Sequence, residues 1–439
     1  MKSFADIRTL YENSSQRSID YLSSIYDDNE LLYNTIDSLF MNHIKESQMR
    51  DKNILLKPNW VRENIQQLDK ICLCTNEKLI IETVRAILKY KPKSIIIGDA
   101  PIQGCNWNLL LSKSFYNEIN KLALSYSIPI EIKDYRRTKI DRKNNRLQEE
   151  MQPLDEYIIF DTSIKSYLEP ISSDYKKFRI TSYDPEKLIQ NHRQGIHRYC
   201  ITKDLFRCDL VITMPKIKTH QKVGITNALK ILVGLNGDKN FLPHHRVGAI
   251  EKGGDCYPGY SPLRSMSEAL IDKANRNRHR RSYSLYKLLS SLLWKLSFPK
   301  EEQTMSAAWS GNDTAWRMVL DINLIALYGK GDGSLSNEQQ RTIYSLCDGI
   351  VGGQGDGPLN PSPLPLGIIA FSNDSYLIDF IVGKIFRLDI EKIAILREAL
   401  KYINTYDIYL NNDKIDLEDI NSLSLDVELP PGWKDYVRR

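Results

Sequence analysis

CDLVITMPKIKTH, residues 208–220, is an apolar run of strand length that stops at Pro215 and passes at once into a polar cluster. A short apolar run closed by a proline reads as a buried strand. The same pattern recurs outward in both directions. NILLKPN (53–59), SIIIGDAP (94–101) and IPIEIKDYR (128–136) precede it, and YIIFDT (157–162), LCDGIVGG (346–353) and LGIIAFS (366–372) complete the series. Amphipathic stretches lie between the early runs, KLIIETVRAILKY (78–90) and NLLLSKSFYNEINKLAL (108–124). Alternating strand and helix predicts an α/β fold with a mostly parallel sheet flanked by helices. Strands are expected at 54–58, 94–98, 129–134, 209–214, 344–351 and 366–371.

The rest of the chain is read against that core. Residues 1–50 carry apolar residues at helical spacing in IDYLSSIY and ELLYNTIDSLFMNHI, so an N-terminal helical segment is expected. Residues 51–264 form the α/β core lobe, and 163–205 within it is polar and rich in loops. A basic amphipathic helical insertion follows at 265–310. Residues 311–439 are a second α/β portion that completes the core.

The 439 residues are 42% hydrophobic and 26% charged, which suits a globular protein with a real core. Sixty basic and 55 acidic residues leave a net charge of +5, too even to imply nucleic acid by itself. The seven cysteines form no CxxC pair, which fits free thiols in a reducing compartment and no iron–sulfur cluster. The opening residues hold no apolar signal core, and no stretch is long and apolar enough to span a bilayer. A cytoplasmic location is the expectation.

Several apolar runs end in Gly, Pro and polar residues: Lys57-Pro58-Asn59, Gly98-Asp99-Ala100-Pro101, Pro215 to His220, and Gly352 to Pro358. In open parallel sheets, ligands bind outside the carboxyl ends of the strands. Asp99, Lys216, His220, Lys230, His245 and Gln354 are therefore expected to line one pocket, with Asp99 exposed at the sheet edge. The alternative is that Gly and Pro merely stop strands. A helix starting near Thr226 would offer its N-terminus to an anion, with Lys216, Lys218 and Lys222 adding charge. Arg246 stands in the same basic stretch. A solvated basic loop capped by Thr226 is the plainer reading. His220 suits proton transfer, since an unperturbed imidazole titrates near ~6.5. Lys230 is the matching anion anchor.

His244, His245 and Asp255 are candidate ligands for a divalent metal, although their spacing matches no standard motif. Adjacent histidines usually diverge, so a structural or substrate-binding role stands beside that reading. In the block WSGNDTAWR (309–317), Asn312 or Asp313 could cap the next helix. Trp316 and Arg317 could instead flank a sugar or nucleotide. Lys273, Arg276, Arg278, Arg280 and Arg281 precede leucines at helical spacing, Leu285 to Leu296. Such a segment, 273–300, can lie on an anionic bilayer or pack on the protein's own core. Nucleic-acid binding by the basic run lacks any recognised reading module.

The runs LLKPN, IIIGDAPIQGC, PKIKTHQKVGITNALKILVGLNGDK, LPHHRVG, GGD, WSGNDTAWRMVLD and DGIVGGQGDGP resemble the signature blocks of the bacterial domain of unknown function 362 family. They occur in that family's order. The resemblance implies a place in surface-polysaccharide or other biosynthesis. Some members carry a ferredoxin module, for which this chain lacks the cysteines. His220, Gly224, Thr226 and Lys230 are also spaced as in the N-terminal domain of nickel-pincer lactate racemase. That resemblance implies an acid/base role for His220, a cofactor tether at Lys230 and a nickel ligand at His244 or His245. Ala228 and Leu229 stand where the racemase has glycines.

The expected function is an enzyme acting on a small anionic compound, phosphorylated, carboxylate or sugar-linked. It would be an isomerase or oxidoreductase using a metal or another cofactor. The alternative is a non-catalytic ligand-binding or membrane-peripheral assembly protein.

Overall fold

The computed structural model describes residues 2–64, 69–141, 146–148, 152–277, 282–297, 306–433 and 436. Twelve of the described strands form one sheet: β1 (Ser3–Thr9), β2 (Asn53–Pro58), β3 (Ser94–Asp99), β4 (Ile130–Asp134), β5 (Leu210–Met214), β6 (Lys216–His220), β7 (Gly224–Thr226), β8 (Ile343–Asp356), β9 (Asn360–Leu364), β10 (Ile368–Ser372), β11 (Tyr406–Leu410) and β12 (Asp413–Ile415). The main order is β12-β11-β1-β10-β8-β5-β2-β3-β4. From β4 to β8 every pairing is parallel. Beyond β8 the sheet becomes mixed: β10 is antiparallel to both β8 and β1, and β1 is parallel to β11. All six expected strands are present.

The apolar runs became strands because they are covered on both faces. Leu55 and Val211 point into one core, and Ile54, Leu56, Leu210 and Ile212 into the other. The second core is closed by helices α1 (Asn29–His43), α2 (Glu77–Leu88) and α3 (Lys113–Tyr126). Asn76 starts α2, its side-chain oxygen accepting the Lys78 N–H at 2.9 Å, and Leu79, Ile80, Val84 and Ile87 supply its buried stripe. The first core takes the single turn α4 (Ala228–Ile231) together with two longer helices, 315–328 and 375–385.

Three expectations change. The N-terminal segment opens with a strand, β1, before its helices; Asp6 and Arg8 made it look polar, but they pair with each other inside the sheet at 2.9 Å. YIIFDT is a strand, Tyr157–Asp161, in a separate three-stranded sheet. Residues after Thr226 form no long helix, and Gly224 to Thr226 is the strand β7.

The helical insertion is a hairpin of α5 (Pro262–Arg276) and α6 (Ser282–Leu296). Arg278, Arg280 and Arg281 lie outside the described residues, as do 298–305. All seven cysteines are buried thiols. Among the described residues, no helix is long and apolar enough to cross a membrane.

Candidate functional site

The parallel half of the sheet reverses its winding between β2 and β5. From β2 the chain steps outward to β3 and β4, then returns to place β5 on the other side of β2. The carboxyl ends of β2 and β5 diverge at such a point, and the crevice between them is where ligands bind. A cavity of about 490 Å³ opens there. Asn59 and Trp60 reach it from the end of β2, Asp99 and Ala100 from β3, and Lys218 and His220 from β6. Lys230, Gly234, Lys239 and His244 close it from the segment after β7, and Ile180 to Tyr183 form an opposite wall.

Asp99 is buried rather than exposed at the edge, with 3% of its surface open. Its Oδ1 accepts a bond from Lys57 Nζ at 2.7 Å and another from the Ala100 N–H at 2.8 Å, and Oδ2 takes the Trp60 N–H at 2.6 Å. Burial pushes the Lys57 ammonium pKa down and the Asp99 carboxyl pKa up, while their attraction opposes both shifts. Gly234 lies directly over this pair. A Cβ there would stand 1.8 Å from Asp99 Oδ1 and 2.6 Å from Lys57 Nζ, so only glycine lets the loop pass.

Among the described residues Asp99 is the only carboxylate on the wall, and Lys57 already holds it. Against it stand four lysines. Burial, with the neighbouring Lys239, Lys218 and Lys57, lowers Lys230 to about 7. Burial brings Lys218, Lys222 and Lys239 each to about 8. Lys218 donates to the Leu73 carbonyl and Lys222 to that of Ser306. The Thr226 hydroxyl and the Trp60 indole N–H are buried on this wall without a hydrogen-bond partner among the described residues.

His220 and His244 are both pushed well below the ordinary imidazole value, first by burial and then by the surrounding lysines. Neutral rings follow at pH 7. The Lys222 N–H donates to His220 Nδ1 at 3.0 Å, which leaves the ring proton on Nε2. His244 Nδ1 donates to the Leu242 carbonyl at 2.7 Å, so its Nε2 is the bare nitrogen. One ring offers a donor and the other an acceptor.

Asp99, Lys218, His220, Thr226, Lys230 and His244 are thus gathered on one wall. The other candidates lie elsewhere. Lys216 is fully buried against Asp348 at 2.9 Å and Tyr26 at 2.8 Å. Gln354 joins two strands of chain, donating to the Pro363 carbonyl and accepting the Glu428 N–H at 3.0 Å. Trp316 is buried and donates to Asp313; Arg317 stacks on Trp316 and also pairs with Asp313. The helix they begin is capped by Asn312, whose Oδ1 accepts the Ala315 N–H at 2.8 Å.

The metal set does not assemble. His245 pairs with Arg179 in a two-stranded ribbon and faces a smaller neighbouring cavity, while His244 turns to the lysines. Asp255 accepts from the Arg246 N–H at 2.6 Å and the Thr314 hydroxyl, tying loops together. Arg246 lies 3.8 Å from Asp255 and 3.6 Å from Asp313, away from the cavity. Among the described residues no group of three or more His, Cys, Asp or Glu side chains could hold a metal ion. The anion site expected at a helix start is also taken: Asp379 accepts the Ala228 N–H at 2.8 Å and the Leu229 N–H at 3.3 Å.

Lys57, Trp60, Gly234 and Lys239 were not among the expected site residues. Lys57 was legible as the polar end of ILLKP. Lys239 was not, because NGDKN reads as an ordinary turn.

A family model described as Domain of unknown function (DUF362) matches residues 162–383, half of the chain. The chain belongs to the DUF362 family. The DUF362 match carries Lys218, His220, Thr226, Lys230, Lys239 and His244, whereas Lys57 and Asp99 precede it. No curated protein matches. A crystal structure of a Thermotoga maritima protein from the Northeast Structural Genomics Consortium aligns with a TM-score of 0.31 and 7% identity over 86% of this DUF362 chain. The alignment spans 59% of that protein's length.

Proposed function

We propose that the protein binds a small phosphorylated or carboxylate compound in the lysine-lined cavity, and that His220 exchanges a proton with it. The carrying observation is the charge imbalance. Four lysines face a space whose only carboxylate among the described residues is already paired. An anion would restore their charge and supply partners for Thr226 and Trp60. The volume suits a small organic ligand, and Trp60, Ile180, Tyr183 and Val233 give an apolar surface for its carbon skeleton. A sugar-linked phosphate meets both requirements.

The test is calorimetric titration of the full chain with inorganic pyrophosphate and with a hexose phosphate. One charge-assisted contact is worth ~1.5–3 kcal/mol. Lys230→Met is therefore expected to weaken binding roughly 10- to 100-fold. Failure of both compounds to bind the unaltered protein would remove the reading.

The lysines also fix a pH dependence. Unfolded, they titrate near the ordinary 10.5; folded, at about 7 to 8. Between those limits the unfolded chain binds more protons, so the empty protein gains stability as pH rises through that window. A bound anion favours the charged amines. The rise in Tm given by pyrophosphate should be largest below pH ~7 and shrink steadily above pH ~8. Melting curves with and without the ligand across that range decide it, and a gain that grows with pH would contradict it.

His220 is neutral and carries its proton on Nε2, and an adjacent anion would draw its pKa back up. His220→Asn keeps a hydrogen-bonding side chain but removes the titratable group. With a turnover assay, kcat should fall roughly 10²- to 10⁴-fold while ligand affinity changes little. Unchanged kcat would leave His220 an orienting residue.

A further inference from the structure

The α5–α6 hairpin carries a leucine face that nothing among the described residues covers. On α6, Leu285, Leu288, Leu289, Leu292 and Leu296 are all exposed, Leu288 and Leu296 by two-thirds of their surface. The buried residues of that helix are Tyr283, Ser290 and Trp294. At 3.6 residues per turn, those three lie on the side opposite the leucines. The helix therefore turns its aromatic and serine side inward and its most apolar side outward, the reverse of a core-facing amphipathic helix.

The partner helix extends the same face. Ser267 on α5 bonds Ser290 on α6 at 2.8 Å, and Lys273 lies over the Tyr286 ring, so the two run antiparallel. Leu263 and Met266, on the turn before Ser267, are also exposed.

Charge accompanies the leucines. Between Pro262 and Lys300 the sequence holds nine Lys and Arg residues and two acidic ones. Both acidic side chains are occupied on the inner side. Asp272 binds Arg179 at 2.8 Å, and Glu268 accepts the Tyr257 hydroxyl at 3.0 Å. Lys273, Lys287 and Lys295 are exposed; Lys295 borders the leucine face, while Lys287 lies over the Tyr283 ring on the flank.

We propose that this hairpin docks the protein on the surface of an anionic lipid bilayer. The leucines enter the headgroup–acyl boundary and the exposed lysines meet lipid phosphates. A second copy of the chain fits less well, because self-contact would press two basic hairpins together. Nucleic acid would satisfy the charges and leave the leucines in water. The proposal does not depend on what the lysine-lined cavity binds.

The experiment is co-flotation of the full chain with phosphatidylcholine vesicles, with or without about one-third phosphatidylglycerol. Binding to the anionic vesicles is expected to exceed that to the neutral ones by roughly tenfold or more, and to weaken in about half-molar salt. The pair Leu288→Asp and Leu292→Asp lies on exposed positions, so its melting curve should match that of the unaltered protein while vesicle binding falls at least about tenfold. Lys230→Met should bind vesicles normally, which separates this face from the cavity. Three results would overturn the proposal: no binding to anionic vesicles, equal binding by the double variant, or a dimer in sedimentation that the double variant loses without any lipid binding.

Discussion

Asp348→Ala is expected to destabilise the protein by about 3–5 kcal/mol. Asp348 sits in β8 with none of its surface exposed, and so does its partner Lys216 in β6. One carboxylate oxygen accepts the Tyr26 hydroxyl at 2.5 Å; the other accepts Lys216 Nζ and the Asn76 N–H, both at 2.9 Å. Removing the carboxylate strands an ammonium group, a phenol and the first free N–H of α2 in a space closed to water. Urea denaturation should show the loss with an unchanged m-value. Replacing both charges at once, Asp348→Leu with Lys216→Met, should recover a large part of it, because the penalty comes from the unpaired charge more than from a lost attraction. A single variant within ~1 kcal/mol of the parent would show that the pair is not sealed.

The second large effect is at Gly234. Gly234→Val puts a branched side chain where even a Cβ would be 1.8 Å from Asp99 Oδ1. Either the loop lifts, breaking the 3.0 Å bond from the Ala100 N–H to the Gly234 carbonyl, or the Lys57–Asp99 pair is forced apart. Overpacking alone costs ~1–3 kcal/mol, and splitting a buried ion pair about 3–5 kcal/mol. A loss of at least ~3 kcal/mol is expected, along with pyrophosphate binding. Gly104 is the control on the same cavity. A Cβ there meets nothing within 4 Å among the described residues, so Gly104→Ala should change stability by no more than ~0.5 kcal/mol. Equal behaviour of the two variants would contradict the packing argument.

The central strands were legible because burial on both faces selects continuous apolar runs, and a run such as DLVITM has few alternatives. Strand β1 was hidden. Its Asp6 and Arg8 neutralise each other, and His43 reaches Asp6 from α1 at 2.8 Å, but sequence shows charges without their partners. The same blindness divided the site residues. Lys216 and Lys218 look alike in PKIKTH, yet Asp348 claims the first while the second faces the cavity. His244 and His245 are adjacent, and a short ribbon sends them to different cavities. The exposed leucines of α6 ran against a sound rule, since apolar stripes usually mark the buried face.

Among the described strands, β1 pairs only with two that come much later in the sequence: Ala5 lies opposite Ser372 in β10 and beside Ile408 in β11. Ribosomes add ~5–20 residues per second, so β1 is made on the order of 20–70 s before its neighbours exist. During that interval its two hydrogen-bonding edges are free, with Phe4 and Ile7 uncovered. Such a nascent segment is a natural client for a holdase chaperone. The sheet is therefore completed in time from its β4 edge toward β12, and β1 is among the last strands to be seated.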